Sequence, residues 1–387
     1  MNLSHTEEQS AIADLVRSIC GDHSTTEAVR AMENDPKGYK DELWTVLADS
    51  GLLGTMIPEE YGGNPIGMLE NVSMYEEFGR SLAPCPHFTT AILAARLLQE
   101  VGESEQSAQL LSRIAGGDIV MAIAWLEPDS GYEPVGVNCQ AARVEGGVRL
   151  NGLKRHVFFA GSSEKLIVLA RTGDEPEDID LFLVDADAPG LTLDQELSMA
   201  SDTQYQVMLR DVFVPDSACL TTGGAGWRTW HGVLLEAIIL DASRAVGLAQ
   251  KALDITVEYA KTREQFDKPI AAFQSISHYL ADCSTEVEGA RLLVAEAAWA
   301  YDQGLPHATL AAAAKLFACK VARAVTAKAQ QIHGGIGFTM EYDIQLYFRR
   351  AKQQQLNWLD SRALEAEIAH SVLDKGCAIA AADPFAA

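Results

Sequence analysis

The sequence predicts an α+β fold in which helices come first, strands second and helices again last. Three observations predict it. Apolar residues recur at helical spacing through residues 1–118, form short blocks bounded by turn residues through 119–222, and return to helical spacing in an alanine-rich stretch over 223–387. The expected domains are therefore an N-terminal helical domain (1–118), a middle β domain built as a small barrel or sandwich (119–222), and a C-terminal four-helix bundle (223–387).

In the first range Leu3, Ile12, Leu15, Val16 and Ile19 share a helical face, and Ser4 or Thr6 is placed to cap its start. A helix over Tyr39–Gly51 turns Leu43, Trp44 and Leu47 inward. Gly62-Gly63-Asn64-Pro65 is a turn, and Met68–Ser81 and Thr89–Val101 are further helices. The period then changes. Val120–Trp125, Ala141–Val144, Val148–Asn151, Leu166–Ala170, Leu181–Val184, Leu191–Leu193 and Gln206–Leu209 read as strands, with a hairpin turn at Gly146-Gly147. Thr221–Gly226 links back to helices over Trp227–Arg263, Ser275–Asp302, His307–Ile332 and Tyr342–Leu373. The tail from Ala378 has little to pack.

Composition narrows the function. The net charge of −24 argues against nucleic acid as a partner, because phosphate binding needs a basic face. The absence of an apolar run of about 18 residues argues against a membrane span and for a soluble protein. The polar, acidic start is unlike a targeting peptide, and seven scattered cysteines suggest a reducing compartment; the cytoplasm is expected. No metal is expected, since neither the cysteines nor His231, His278 and His333 fall at ligand spacing.

Two stretches carry chemistry. Residues 259–275 place Arg263 near a helix end, Phe266 three residues on, and a buried-looking Gln274 after the break at Asp267 and Pro269. A planar, permanently charged guanidinium suits phosphate oxygens and an aromatic face suits a flat ligand, although a helix–loop–helix corner with a surface arginine has the same pattern. Gln331-Ile332-His333-Gly334-Gly335-Ile336-Gly337-Phe338 ends another helix. Paired glycines let a backbone approach an anion closely, and a glycine helix stop is the plainer alternative. No strand precedes them, so this is not the dinucleotide fingerprint.

With these two stretches stand Pro58–Gly63, Glu127-Pro128 with Gly131, Gly224-Ala225-Gly226-Trp227 and Ala245–Gln250. In that order and spacing the sequence resembles the acyl-CoA dehydrogenases, flavoproteins that oxidise the Cα–Cβ bond of acyl thioesters, over nearly its whole length. The resemblance implies the same helix–strand–helix architecture and an FAD shared by two subunits. One subunit's β domain holds the isoalloxazine ring, and a neighbour's bundle holds the ADP half. It places Arg263 at the pyrophosphate and Phe266 by the adenosine, with Gln274, Gln331 and the Gly334–Gly335 backbone completing the cradle. Asp267 stands where the family usually has glycine.

The ring half departs from the pattern. Leu126 replaces a small hydroxyl residue and Tyr132 a serine. His156, Val157, Phe158 and Phe159 stand where the family carries Trp-Ile-Thr-Asn. Each buried polar edge left unpaired costs about 1–3 kcal/mol, so several together are enough to abolish ring binding. The base that takes the α-proton is missing too. An ungapped count puts Trp358 at the common position, with Asp360 two residues on, where the helix turns it well away. The family's alternative position falls on Ala237, beside Glu236.

The resulting expectation is one subunit of an α2β2 heteromeric, FAD-dependent acyl-CoA dehydrogenase that lends the ADP cradle to a catalytic partner. The substrate class implied by such split members is a bulky, steroid-derived acyl-CoA, with electron-transfer flavoprotein as acceptor. Two alternatives stand beside it: a self-sufficient homotetramer using Glu236 as base, and a flavin-free scaffold or acyl-CoA-binding protein.

Overall fold

Thr6 opens the first helix of the computed structural model, which describes residues 6–200 and 202–374. Its Oγ1 accepts from the Gln9 N–H while the Gln9 carboxamide oxygen accepts from the Thr6 N–H, both at 3.1 Å, so each satisfies a donor that a helix start leaves open. Leu3, Ser4 and the tail from Ala378 lie outside the described residues. Six helices lead: α1 (Glu7–His23), α2 (Thr26–Met32), α3 (Asp41–Asp49), α4 (Met68–Arg80), α5 (Ala95–Glu100) and α6 (Glu105–Ala115). Seven strands follow: β1 (Met121–Ala124), β2 (Gln140–Val144), β3 (Gly147–Phe158), β4 (Lys165–Arg171), β5 (Ile179–Asp185), β6 (Leu191–Glu196) and β7 (Gln204–Pro215). Last come α7 (Ala225–Thr262), a small hairpin of β8 (Glu264–Gln265) and β9 (Lys268–Pro269), α8 (Gln274–Asp302), α9 (Ala308–His333), α10 (Ile344–Leu356) and α11 (Ser361–Ala369).

Two helices differ from the sequence reading. The one expected over Thr89–Val101 starts as a buried π-helix, Phe88–Ala94, before α5. The fourth bundle helix, expected over Tyr342–Leu373, comes in two main pieces. Trp358 takes a left-handed conformation (φ 65°), and Asp360 caps a fresh start by accepting from the N–H groups of Arg362 and Ala363 at 3.0 and 2.9 Å. A carboxylate that takes up the first N–H groups begins a helix rather than continuing one. Asp360 is therefore committed to a cap, and the idea that it sits one helical turn-fraction beyond Trp358 is corrected.

The chain divides into two compact units. The first holds Arg17–Gly67 and Leu82–Ala237 and contains one mixed sheet, ordered β1-β4-β2-β3-β7-β6 with β5 on β4. β1 runs parallel to β4, and the long β3–β7 pair is antiparallel. Register shifts after Leu150 and after Lys154 bend that pair. Thr90, in the π-helical turn, anchors β1: its hydroxyl donates to the Met121 carbonyl and accepts from the Met121 N–H, both at 3.0 Å.

The second unit holds Met68–Ser81 and the chain from Ile238 on, with the N-terminal turns through Val16. α4 meets α7 backbone to backbone: a Cβ at Gly247 would come within 1.8 Å of the Glu76 carbonyl oxygen, so only glycine fits there. Lys315 and Asp241 form a fully buried ion pair, and Gln354 Nε2 donates to the Asp241 carbonyl (2.7 Å) and carboxylate (3.1 Å). No helix among the described residues is long and apolar enough to cross a membrane.

Candidate functional site

Arg263 follows the last turn of α7, its N–H held by the Tyr259 carbonyl at 2.8 Å, and its own carbonyl accepts from Ile270 N at 2.8 Å to close the β8–β9 hairpin. At the hairpin tip Phe266 (φ 54°) and Asp267 (φ 63°) are both left-handed. That is the geometry of a two-residue hairpin turn, which favours asparagine and glycine, and a bulky residue held there is strained. The strain presents Phe266 to the outside, 85% exposed, with its edge toward Phe273 (ring centroids 6.1 Å apart). Gln274 begins α8 and is exposed, which corrects the sequence reading of it as buried: as the first residue of the helix it faces outward.

The second stretch lies beside the first. The His333 ring stacks on Tyr259 with centroids 4.3 Å apart, which joins the end of α9 to the turn before Arg263. Gln331 is exposed on α9. Gly334 caps the helix in a conformation (φ 63°, ψ −137°) essentially restricted to glycine. Gly335 is different. It is exposed, and a Cβ there would meet nothing within 4 Å, so the chain's own packing gives no reason for glycine. Arg263, Phe266, Gln274, Gln331 and Gly335 are thus all presented to the outside, with Gly334 half-buried. This fits a ligand that lies against the unit rather than inside it. Sequence reasoning missed Tyr259 as the link; its position four residues before Arg263, one helical turn, was the available signal.

The ring-half positions, in the sheet-bearing unit, carry packed aromatic and apolar side chains beside polar groups that have partners of their own. Tyr132 packs against Trp125 (centroids 5.8 Å), which packs on the fully buried Trp230 (5.0 Å). Phe159 is buried, left-handed (φ 56°), and edge-on to Tyr39 at 6.2 Å. Val157 is buried, and Leu126 and Phe158 bring no polar atoms. The nearby polar groups are already committed. Glu127 accepts from the N–H groups of Asn138 and Cys139, both at 2.9 Å, and from the buried Lys154 ammonium at 2.7 Å. Burial beside this pair pushes the Cys139 thiol up to about 11, which makes it inert as a nucleophile.

His156 has partners that its sequence neighbours did not suggest. Its backbone is left-handed (φ 55°) at the β3 irregularity, and Nδ1 lies 3.0 Å from Gln204 Oε1 and 3.5 Å from Glu196 Oε2. Glu236 is tied up as well: Arg96 Nε donates to its Oε2 at 3.1 Å, with both side chains mostly buried. Arg96, on α5, was not foreseen. Among the described residues no group of three or more His, Cys, Asp or Glu side chains is placed to hold a metal.

Comparison with known proteins bears on this geometry. The N-terminal, middle and C-terminal domains of acyl-CoA dehydrogenase match residues 6–118, 122–212 and 224–356. The chain belongs to the acyl-CoA dehydrogenase family. FAD is the cofactor of this family, and oxidation–reduction is its chemistry. Among relatives, the benzylmalonyl-CoA dehydrogenase of Aromatoleum aromaticum is 33% identical over 379 residues, covering 96% of this chain and all of that one. Two similar solved structures are of complexes of unlike subunits. One is the ChsE4-ChsE5 complex from Mycobacterium tuberculosis (27% identity, TM-score 0.87, 96% and 99% of the two chains). The other is the Tcur3481-Tcur3483 steroid acyl-CoA dehydrogenase (32% identity, TM-score 0.86, 96% and 99%).

Proposed function

We propose that this chain is one subunit of a heteromeric, FAD-dependent acyl-CoA dehydrogenase, and that it supplies the ADP half of the FAD site to a partner subunit carrying the ring seat and the base. The observation that carries the reading is the contrast between the two half-sites. One presents a cation, an aromatic face and an open glycine turn outward; the other has its polar groups committed and its aromatics packed on one another.

Arg263 would hold the diphosphate through its planar guanidinium, Phe266 would lie against the adenosine, and Gln274, Gln331 and the Gly334–Gly335 backbone would complete the cradle. The bound flavin supplies hydride acceptance from the β-carbon. This chain orients its nucleotide end and contributes no carboxylate at the family's usual base position, where Trp358 stands. The Arg96–Glu236 pair counts against the self-sufficient alternative, because the carboxylate oxygen a base would use already accepts a hydrogen bond from the Arg96 guanidinium. The substrate class we propose is a bulky, steroid-derived acyl-CoA, with electron-transfer flavoprotein as acceptor; likeness to the two complexes of unlike subunits supports this by analogy.

The test is flavin stoichiometry. The chain is expressed alone and together with candidate partner chains, and flavin absorbance per polypeptide is measured. The reading expects no flavin on the lone chain and about one flavin per pair of unlike chains. A fully flavinated, active assembly of this chain alone overturns it.

A further inference from the structure

His333 lies directly under the proposed nucleotide cradle, on the last turn of α9, and is 3% exposed. From α7 the ring meets Tyr259, stacked at 4.3 Å and 25°; from the segment ahead of α10 it meets Tyr342, at 5.2 Å and 53°. Its Nδ1 is 2.8 Å from the Ala329 carbonyl oxygen. A carbonyl oxygen only accepts, so Nδ1 carries the hydrogen and Nε2 of the neutral ring keeps its lone pair. Nε2 is buried with no hydrogen-bond partner among the described residues. The titratable groups packed against the imidazole from the neighbouring elements are two phenols, and burial pushes the ionisation of Tyr342 up. A proton on Nε2 would thus place a positive charge in a cluster of aromatic rings, with no carboxylate hydrogen-bonded to that nitrogen among the described residues.

We infer that His333 is a positioning residue for the nucleotide half-site: as the neutral imidazole it locks the Gly334–Gly335 turn to the Arg263 end of α7, and as the imidazolium it releases the turn. This rests on the reading of those residues as the ADP cradle. Burial lowers the pKa of His333, partly opposed by the Ala329 carbonyl, so the folded chain disfavours a proton that the unfolded chain accepts. The support that His333 gives is fully present above the ordinary histidine value of about 6.5 and is lost as pH falls below it.

The experiment measures FAD affinity of the co-assembled protein by flavin fluorescence between about pH 5 and about pH 8, for wild type, His333→Phe and His333→Gln. Phenylalanine keeps the stack without a titrating nitrogen; glutamine keeps a neutral donor for the Ala329 carbonyl and serves if the first variant fails to fold. Wild-type affinity should fall with acid by up to about tenfold per pH unit, the limit for one proton, while the foldable variant stays flat. A variant that loses affinity with the wild-type slope, or a wild type that shows no acid loss, overturns the inference and leaves the half-site reading standing. An assembly that binds no FAD even at about pH 8 removes the half-site reading, and this inference falls with it.

Discussion

Replacing Gly335 by alanine separates what the glycine turn needs for its own folding from what it presents to a ligand. A Cβ at 335 meets nothing within 4 Å, and the backbone there is not in the left-handed region. Alanine should leave the fold unharmed or stabilise it by about 0.4–1 kcal/mol through reduced freedom of the unfolded chain. Gly334 is the control: its φ of 63° with ψ of −137° makes alanine cost about 1–3 kcal/mol in the fold itself. If the 335 backbone lies against a diphosphate, the added methyl displaces at least one charge-assisted hydrogen bond. That loss is about 1.5–3 kcal/mol, or roughly 10- to 150-fold in affinity. Urea unfolding of the chain and FAD titration of the co-assembled protein give the two numbers. The expected pattern is stability kept and affinity lost for Gly335→Ala, and both lost for Gly334→Ala. If Gly335→Ala binds FAD within about twofold of wild type, no ligand approaches that backbone and the cradle is misplaced.

Asp267→Gly should stabilise the hairpin by up to about 1–2 kcal/mol, since φ of 63° is free of strain for glycine, and should tighten FAD binding by removing a negative charge from the tip of the hairpin that follows Arg263; weaker binding in the titration would contradict the cradle assignment. Lys154→Met leaves Glu127 buried without its cation and should cost about 3–5 kcal/mol in urea unfolding, most of it recovered by adding Glu127→Gln. Glu236→Gln should lower stability by about 1–3 kcal/mol through the weakened Arg96 pair and leave dye-coupled turnover of the assembly unchanged. A fall in turnover of about a hundredfold or more would instead return Glu236 to the role of base.

The helix and strand order was readable because burial imposes periods of 3.6 and 2 on the sequence, and long elements such as β3, β7 and α7 repeat the period often enough to be seen. What failed were local features that leave no period. Asp360 looked like part of a helix because a cap and an interior residue differ only in whether their side chain takes up backbone N–H groups. Gln274 reads as buried where it follows the apolar run Ile270–Phe273, yet as the first residue of α8 it is exposed.

For the site, the sequence by itself determined which chemical groups are present: a fixed cation at 263, an aromatic at 266, two adjacent glycines at 334 and 335, and bulky residues at 126, 132, 156, 158 and 159. Only the tertiary structure decided how each is deployed. It turned Phe266 outward on a strained tip, left open space at Gly335, spent Glu236 on Arg96, and set His333 against two tyrosines from other segments. The reason is physical. A residue's chemistry is carried in its own side chain, whereas its exposure, its partner and its protonation are set by neighbours that the chain brings together from far away along its length.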